Sequence, residues 1–475
     1  MRQLADTDQG DKVPQHRCGA DHLTMIAAPG DDFEIGADGG LSIGGCDAAS
    51  LLNRFGSPLL VTSRATLTGN LNRFRAAFMS RWPAPVRVFY ATKCNPTLAI
   101  RAIMRVEGAD MECFSAYEYA ACLRCGFPPE RIIVNGSSKD DAFVAKIAAS
   151  GSVVNIDSED EIELLEQNGH AVPVCLRLKL MSDAFDSFDP AFFKTSGSIN
   201  DAIRRSKWGF SRDRAAAIVA RILASPRLRL LGYSAHVGRF SNLPAAYAAI
   251  AQEMVRSTNS IANETGFWPQ VLNLGGGWAR QREPESRSLD INPHGIEDYA
   301  EATTRAIRET WPTGRPLPEL WFEPGRYIVG NAVTLLTTVG SVREDLGRIW
   351  AHVDASTNDL MRIETSNAAH AILPASRMNE PCTATADIVG PTCIPSLIGR
   401  DRPMPPPRRG DILAVLDAGM YAEAISNRFN SMPAPANVLV QDGRPLEIRQ
   451  RETYDDIYGL HRIPPEIYAG SEAAT

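Results

Sequence analysis

Between residues 86 and 323, short apolar runs alternate with stretches of helical periodicity, and this alternation narrows the fold more than any other feature. The strand candidates are 86–92, 109–112, 131–134, 153–156, 173–179, 229–235, 270–275 and 319–323. Between them lie helical patterns such as 97–106, 116–125, 140–149, 159–167, 212–224 and 244–265. Eight strands with helical crossovers predict a (β/α)8 barrel, although a doubly wound sheet has the same alternation. The order of unusual residues adds weight to the barrel. Lys93, His236, the triplet Gly275-Gly276-Gly277 and the pair Glu323 and Arg326 each stand just past the C-terminal end of a run. That is the face on which barrels carry their chemistry.

The flanks read differently. Residues 1–25 are polar and are expected to form a flexible tail, 33–45 alternates as a hairpin around Asp38-Gly39, and 47–55 is a short helix ended by Gly56. After about residue 330, valine-rich runs at 331–342, 348–353, 383–390, 411–416 and 436–441 predict a β domain, with 403–409 as an exposed proline-rich loop. The division expected is therefore a tail (1–25), a barrel (57–330) and a β-rich domain (26–56 and 331–475). A length of 475 residues suits two domains, and a net charge of −7 gives no reason to expect nucleic acid or a membrane surface as partner. No apolar stretch is long enough to span a bilayer and the start lacks a secretory h-region, so a cytoplasmic protein is expected. Nine cysteines without regular spacing suggest reduced thiols. Cys122 and Cys125 form a CxxC pair on a helical pattern with no second pair, which favours a structural role over a metal site.

Lys93 ends an apolar strand candidate, Val86-Arg87-Val88-Phe89-Tyr90-Ala91-Thr92, and Pro96 stops the run. Most such lysines merely reach the surface, but one kept reactive by its surroundings can bond a carbonyl cofactor. The other features support that reading jointly. Glycine amides at 275–277 can approach a phosphate and Arg326 can add charge-assisted bonds. Glu323 can keep a pyridine nitrogen protonated, and His236 can stack on the ring. Taken singly, the triplet is a loop, His236 a structural histidine and Glu323-Pro324-Gly325-Arg326 a turn. Together they are the pattern expected for pyridoxal 5′-phosphate.

At these residues the sequence resembles the fold-type III pyridoxal-phosphate decarboxylases, the family of diaminopimelate, ornithine and arginine decarboxylases. Tyr90-Ala91-Thr92-Lys93-Cys94-Asn95 is similar to the family's YAxKxN, Ser206–Phe210 to its SKFG, and Ala235-His236-Val237-Gly238 to its HxG segment. Leu274–Gly277, Glu323–Arg326, Asp354–Arg362, Gly390-Pro391-Thr392-Cys393, Gly410-Asp411 and Asp417–Tyr421 continue the match, from about residue 38 to about 443. The resemblance implies a barrel of the alanine racemase-like type with a C-terminal β domain, and an amino-acid α-decarboxylase. It implies that Lys93 carries the cofactor, that His236, Gly275, Gly276, Gly277, Glu323, Gly325, Arg326 and Tyr421 surround it, and that Cys393 reprotonates Cα. In the family this cysteine comes from the second subunit, so a homodimer with shared sites is implied. A racemase or a catalytically silent regulatory homologue are the alternatives. The GPTC segment favours decarboxylation over the first, and retention of Lys93, His236, the triplet and Glu323 argues against the second.

Departures from the family bear on the substrate. An acid that recognises a distal amine normally follows the cysteine, and here the position is Ile394. An apolar residue cannot pair with an ammonium, so a free distal amine is disfavoured. Arg362, matching an arginine that meets a distal carboxylate, is kept, while a tyrosine expected four residues on is Ser366. Arg239 replaces the usual serine after HxG, and Glu112 stands where aspartate is usual. These changes favour an amino acid or conjugate, free or carrier-bound, with an anionic group on its tail.

Overall fold

The computed structural model describes residues 17–168, 170–188, 197–236, 242–283 and 291–468. All eight expected runs are strands of one closed parallel barrel: Val86–Ala91, Asp110–Cys113, Ile132–Val134, Val153–Ile156, Val172–Arg177, Leu228–Ser234, Val271–Asn273 and Glu319–Phe322. The last strand pairs with the first through Leu320 and Val86, which closes the ring. Phe89, Ile133, Val153, Cys175, Leu231, Val271 and Trp321 form a cluster of their own, so the barrel is a packed core and not a pore. Outside it, helix Arg64–Met79 sets Phe78 against Phe322 at 4.0 Å between ring centroids. Burying each such side chain contributes about 2–3 kcal/mol.

The second sheet holds, in order, Leu397–Met404, Ala384–Val389, Arg348–Val353, Val333–Asp345, Leu59–Ser63, Ala436–Gln441 and Arg444–Arg449, with Ile412–Val415 and Ile372–Leu373 joined to it. Leu59–Ser63, expected at the start of the barrel, belongs here instead. It pairs antiparallel with Val333–Asp345 and parallel with Ala436–Gln441. All five of its residues are buried, and an interior strand needs a partner on either edge. The loop expected at 403–409 begins later than foreseen, because Pro403 and Met404 end the strand Leu397–Met404. That strand lies at the edge of its sheet, where a proline costs no ladder hydrogen bond.

Two further expectations change. Within the stretch read as a tail, Cys18–Met25 is a helix, and Gly19 fits closely over Met378. Cys18 is joined to Cys382 by a disulfide, their Cα atoms 4.8 Å apart, so the cysteines are not all reduced; the other seven are free. Residues 1–16 lie outside the described residues. Among the described residues no helix is long and apolar enough to cross a membrane.

Candidate active site

Lys93 sits in the single 3-10 turn Thr92–Cys94 that follows the strand Val86–Ala91. Tyr90 Oη donates to the Asn95 carbonyl at 3.0 Å and Asn95 Oδ1 accepts from the Thr97 amide, so the chain turns sharply at the barrel mouth. The Lys93 side chain is 32% exposed into a cavity, and its Nζ lies 2.7 Å from Glu112 Oε2. Burial opposes the charge on this ammonium, but the carboxylates of Glu112 and Glu323 overcome it and raise the group above the ordinary lysine range. Glu112, one methylene longer than the aspartate expected there, is fully buried and reaches the lysine directly.

From Glu112 a line of amides crosses the mouth. Asn135 Nδ2 donates to Glu112 Oε1 at 2.9 Å and to Glu323 Oε2 at 3.0 Å. Asn273 Nδ2 donates to Glu323 Oε1 at 2.7 Å, and its own Oδ1 accepts from the Gly275 amide. Glu323 is thereby held at both oxygens, although burial and the nearby Glu112 raise its pKa. Asn135, Asn155 and Asn273 were not anticipated. Their signal was available: each is an amide side chain at or near the mouth end of an otherwise apolar strand, where burial demands a partner.

His236 follows the strand Leu228–Ser234, and its Nδ1 accepts the Gly276 amide proton at 3.0 Å. The hydrogen bond places the ring proton on Nε2. Burial, then Lys93, Arg177 and Arg326, lower its pKa to about 3, so the imidazole is neutral. Gly275 takes φ +68°, and a Cβ on Gly276 would lie 2.5 Å from the Glu323 carbonyl oxygen. A Cβ on Gly325 would lie 2.7 Å from that of Cys94, so only glycine lets the acid's turn meet the lysine's turn. Tyr421 arrives from the other sheet, its amide donating to the Cys94 carbonyl at 2.8 Å.

These residues enclose two adjoining cavities. One, of about 300 Å³, is lined by Lys93, Phe114, Asn135, Arg177, Trp208, His236 and Glu323 among others. The other, of about 500 Å³, shares Lys93, His236 and Glu323 and runs past Gly276, Gly277, Gly325 and Tyr421 to Arg326, Arg362, Thr365, Ser366 and Ile425. The structure thus brings together Lys93, His236, Gly276, Gly277, Glu323, Gly325, Arg326, Arg362 and Tyr421, with Gly275 directly behind. Cys393 and Ile394 line neither cavity of their own chain; Cys393 is exposed, its amide bonded to Asn430 Oδ1 at 2.9 Å. Arg239 lies outside the described residues. The set fits pyridoxal phosphate: an amine, a buried acid opposite it, and a glycine cradle that any Cβ would fill.

Comparison with known proteins agrees. Residues 64–330 match the family of the pyridoxal-dependent decarboxylases, in its pyridoxal binding domain. The diaminopimelate decarboxylase of Methanothermobacter thermautotrophicus is 31% identical over 441 residues, covering 92% of this chain and 99% of the relative. That of Bacillus subtilis is 31% identical over 433 residues, covering 89% and 95%. The crystal structure of diaminopimelate decarboxylase from M. jannaschii in complex with L-lysine superposes with a TM-score of 0.81 at 25% identity, covering 92% of this chain and 99% of that one. With the barrel, the second sheet and the lysine–acid–glycine site in one chain, the protein belongs to the fold-type III pyridoxal-phosphate-dependent decarboxylases and is an amino-acid decarboxylase that uses this cofactor.

Proposed function

We propose that the chain removes the α-carboxylate of an amino acid, or of a conjugated amino acid, whose tail carries no free amine, and that it does so as a homodimer with shared sites. The observation that carries the substrate reading is Ile394, an apolar side chain where relatives place an acid. A buried ammonium without a partner costs several kcal/mol, a loss of roughly a thousandfold or more in binding.

Bound pyridoxal phosphate supplies an electron sink for the pair left on Cα when carbon dioxide departs. Lys93 would hold it covalently, and Glu112 Oε2, 2.7 Å from Nζ, is placed to take the amine's proton. Glu323 would keep the ring nitrogen protonated, His236 would lie against the ring as a neutral imidazole, and the amides of 275–277 with Tyr421 would meet the phosphate. Cys393 of the partner subunit would return a proton to Cα. A cytoplasmic setting is the reading that the seven free thiols support and the Cys18–Cys382 disulfide opposes.

A second reading follows from the relatives, which are named for diaminopimelate, a substrate ending in both an amine and a carboxylate. Carbon dioxide release should therefore be measured on diaminopimelate, lysine, ornithine, arginine, glutamate, aspartate and cysteate. Efficient turnover of lysine or ornithine would remove the first reading, and efficient turnover of diaminopimelate would replace it with the second.

A further inference from the structure

Six residues beyond the glycine triplet, the chain buries a carboxylate that no motif announces. Glu283 has a side chain 2% exposed, and its Oε1 accepts from Arg326 Nη1 at 2.9 Å and lies 3.9 Å from Arg362 Nη2. Its Oε2 is 3.8 Å from Arg280 Nε and has no hydrogen-bond partner among the described residues. Glu283 does not line the 500 Å³ cavity, whereas Arg326 and Arg362 both do, so the acid holds the two arginines from behind.

Its place is fixed by the residues before it. Trp278 Nε1 donates to the Gly275 carbonyl at 3.0 Å and stacks on Tyr247. Arg280 donates to Asp417 at 2.9 Å, and Arg282 reaches Asp417 and Asp31, each at 2.6 Å. With Asp417 and Asp31 taken by Arg280 and Arg282, Glu283 is the described carboxylate left to face Arg326 and Arg362. An arginine engaged by an internal acid attracts a second carboxylate less strongly, yet still offers donors to a neutral oxygen.

We infer that Glu283 sets the specificity of the tail site: it is a counter-ion built into the chain that engages Arg326 and Arg362, and so favours a substrate tail ending in an uncharged hydrogen-bond acceptor over one ending in a carboxylate. The inference rests on the reading that the substrate tail lies at the arginine end of the cavity. It revises two sequence expectations, that Arg326 contacts the cofactor's phosphate and that Arg362 awaits an anionic group, and leaves Ile394's exclusion of an amine untouched. Glu283 acts through the arginines, as a positioning residue.

The test uses the holoenzyme and matched pairs of equal length, glutamate with glutamine and 2-aminoadipate with its ω-amide. Binding is read from the cofactor absorbance and turnover from carbon dioxide release. Wild type should bind each amide at least as tightly as its acid. Glu283→Gln, which keeps an oxygen for Arg326 and removes the charge, should shift the acid-to-amide ratio of dissociation constants toward the acid by about tenfold, through KM and not kcat. Glu283→Asp, which keeps the charge, should leave the ratio near wild type. A merely structural role would weaken acid and amide alike. A shift under about twofold in Glu283→Gln, a wild-type preference for the acid of about tenfold, or failure of every probe to bind overturns the inference. Should Glu283→Gln not retain cofactor, the wild-type ratio decides alone. A shifted binding ratio without carbon dioxide release from any probe leaves the inference standing and counts against the proposed substrates instead.

Discussion

The residues around Lys93 separate two jobs that a single acid could not do. Glu112 stands against the amine and Glu323 against the place reserved for the ring, and Asn135 bridges them with one amide nitrogen. Glu323→Gln keeps a side chain of the same shape but gives up the charge that holds a pyridine nitrogen protonated. The variant should bind cofactor, visible by absorbance, and lose turnover by orders of magnitude; near-normal kcat would reject the role assigned to Glu323. His236 leads to a different expectation. Its Nδ1 is committed to the Gly276 amide, and its pKa is lowered to about 3 by burial and by three cations. The ring therefore carries no charge at neutral pH, and in histidine NMR of the labelled protein the His236 signal, assigned by its loss in His236→Asn, should not titrate above pH 5; the buried His370, lowered to about 4, should behave likewise. A titration near the ordinary histidine value would mean that the hydrogen bond is absent in solution.

At the scale of elements, buried strands were the most legible part of the sequence, and edges the least. The barrel strands are mostly apolar because both of their faces are covered, and Asp110–Cys113, which carries two acids, is the exception. Leu397–Met404 and Arg444–Arg449 left no apolar run in the sequence: they lie at the sheet's edges, half in water, and carry charges and proline. The site followed the same rule. Residues in motifs were foreseen, whereas Asn135, Asn273 and Glu283 act through polar contacts to groups far away in sequence: the two asparagines left only a lone amide at a strand mouth, and Glu283 left no pattern at all. The turn before the helix Arg362–Ser366 gives a test of stability. Asp359 closes it by accepting from the Ser356 amide at 3.0 Å, yet burial lifts its pKa to about 6. Because the folded value exceeds the unfolded one, the folded state binds more protons between about pH 4 and 6, and stability falls as pH rises through that window. Asp359→Asn keeps an acceptor and loses the charge. It should raise stability by about 1–2 kcal/mol at neutral pH and have no effect below pH 4, measured by denaturant unfolding at both values. An equal effect at the two pH values would show that the carboxylate's ionisation is not the cause.

Across the whole molecule, the second sheet serves the barrel mouth in two directions. Its connections carry Arg362, Ser366, Tyr421 and Ile425 to the cavity, and the Tyr421 amide is bonded to Cys94 beside the lysine. The connection between Ala384–Val389 and Leu397–Met404 instead presents Cys393 to solvent, held by Asn430 and lining neither cavity of its own chain. If Cys393 acts on Cα, it must act in another subunit's cavity, and a two-fold dimer makes the exchange reciprocal. Lys93→Ala and Cys393→Ala should each be inactive alone, for different reasons. In a mixed dimer the subunit that keeps Lys93 faces the subunit that keeps Cys393, so one of the two composite sites is whole. Random exchange of equal amounts makes about half the dimers mixed, and activity should recover to about a quarter of wild type. Recovery must follow the time course of subunit exchange, measured with a fluorescent label on one variant. Full exchange without recovery would place Cys393 outside the reaction, and substantial activity in Cys393→Ala alone would require another group to protonate Cα.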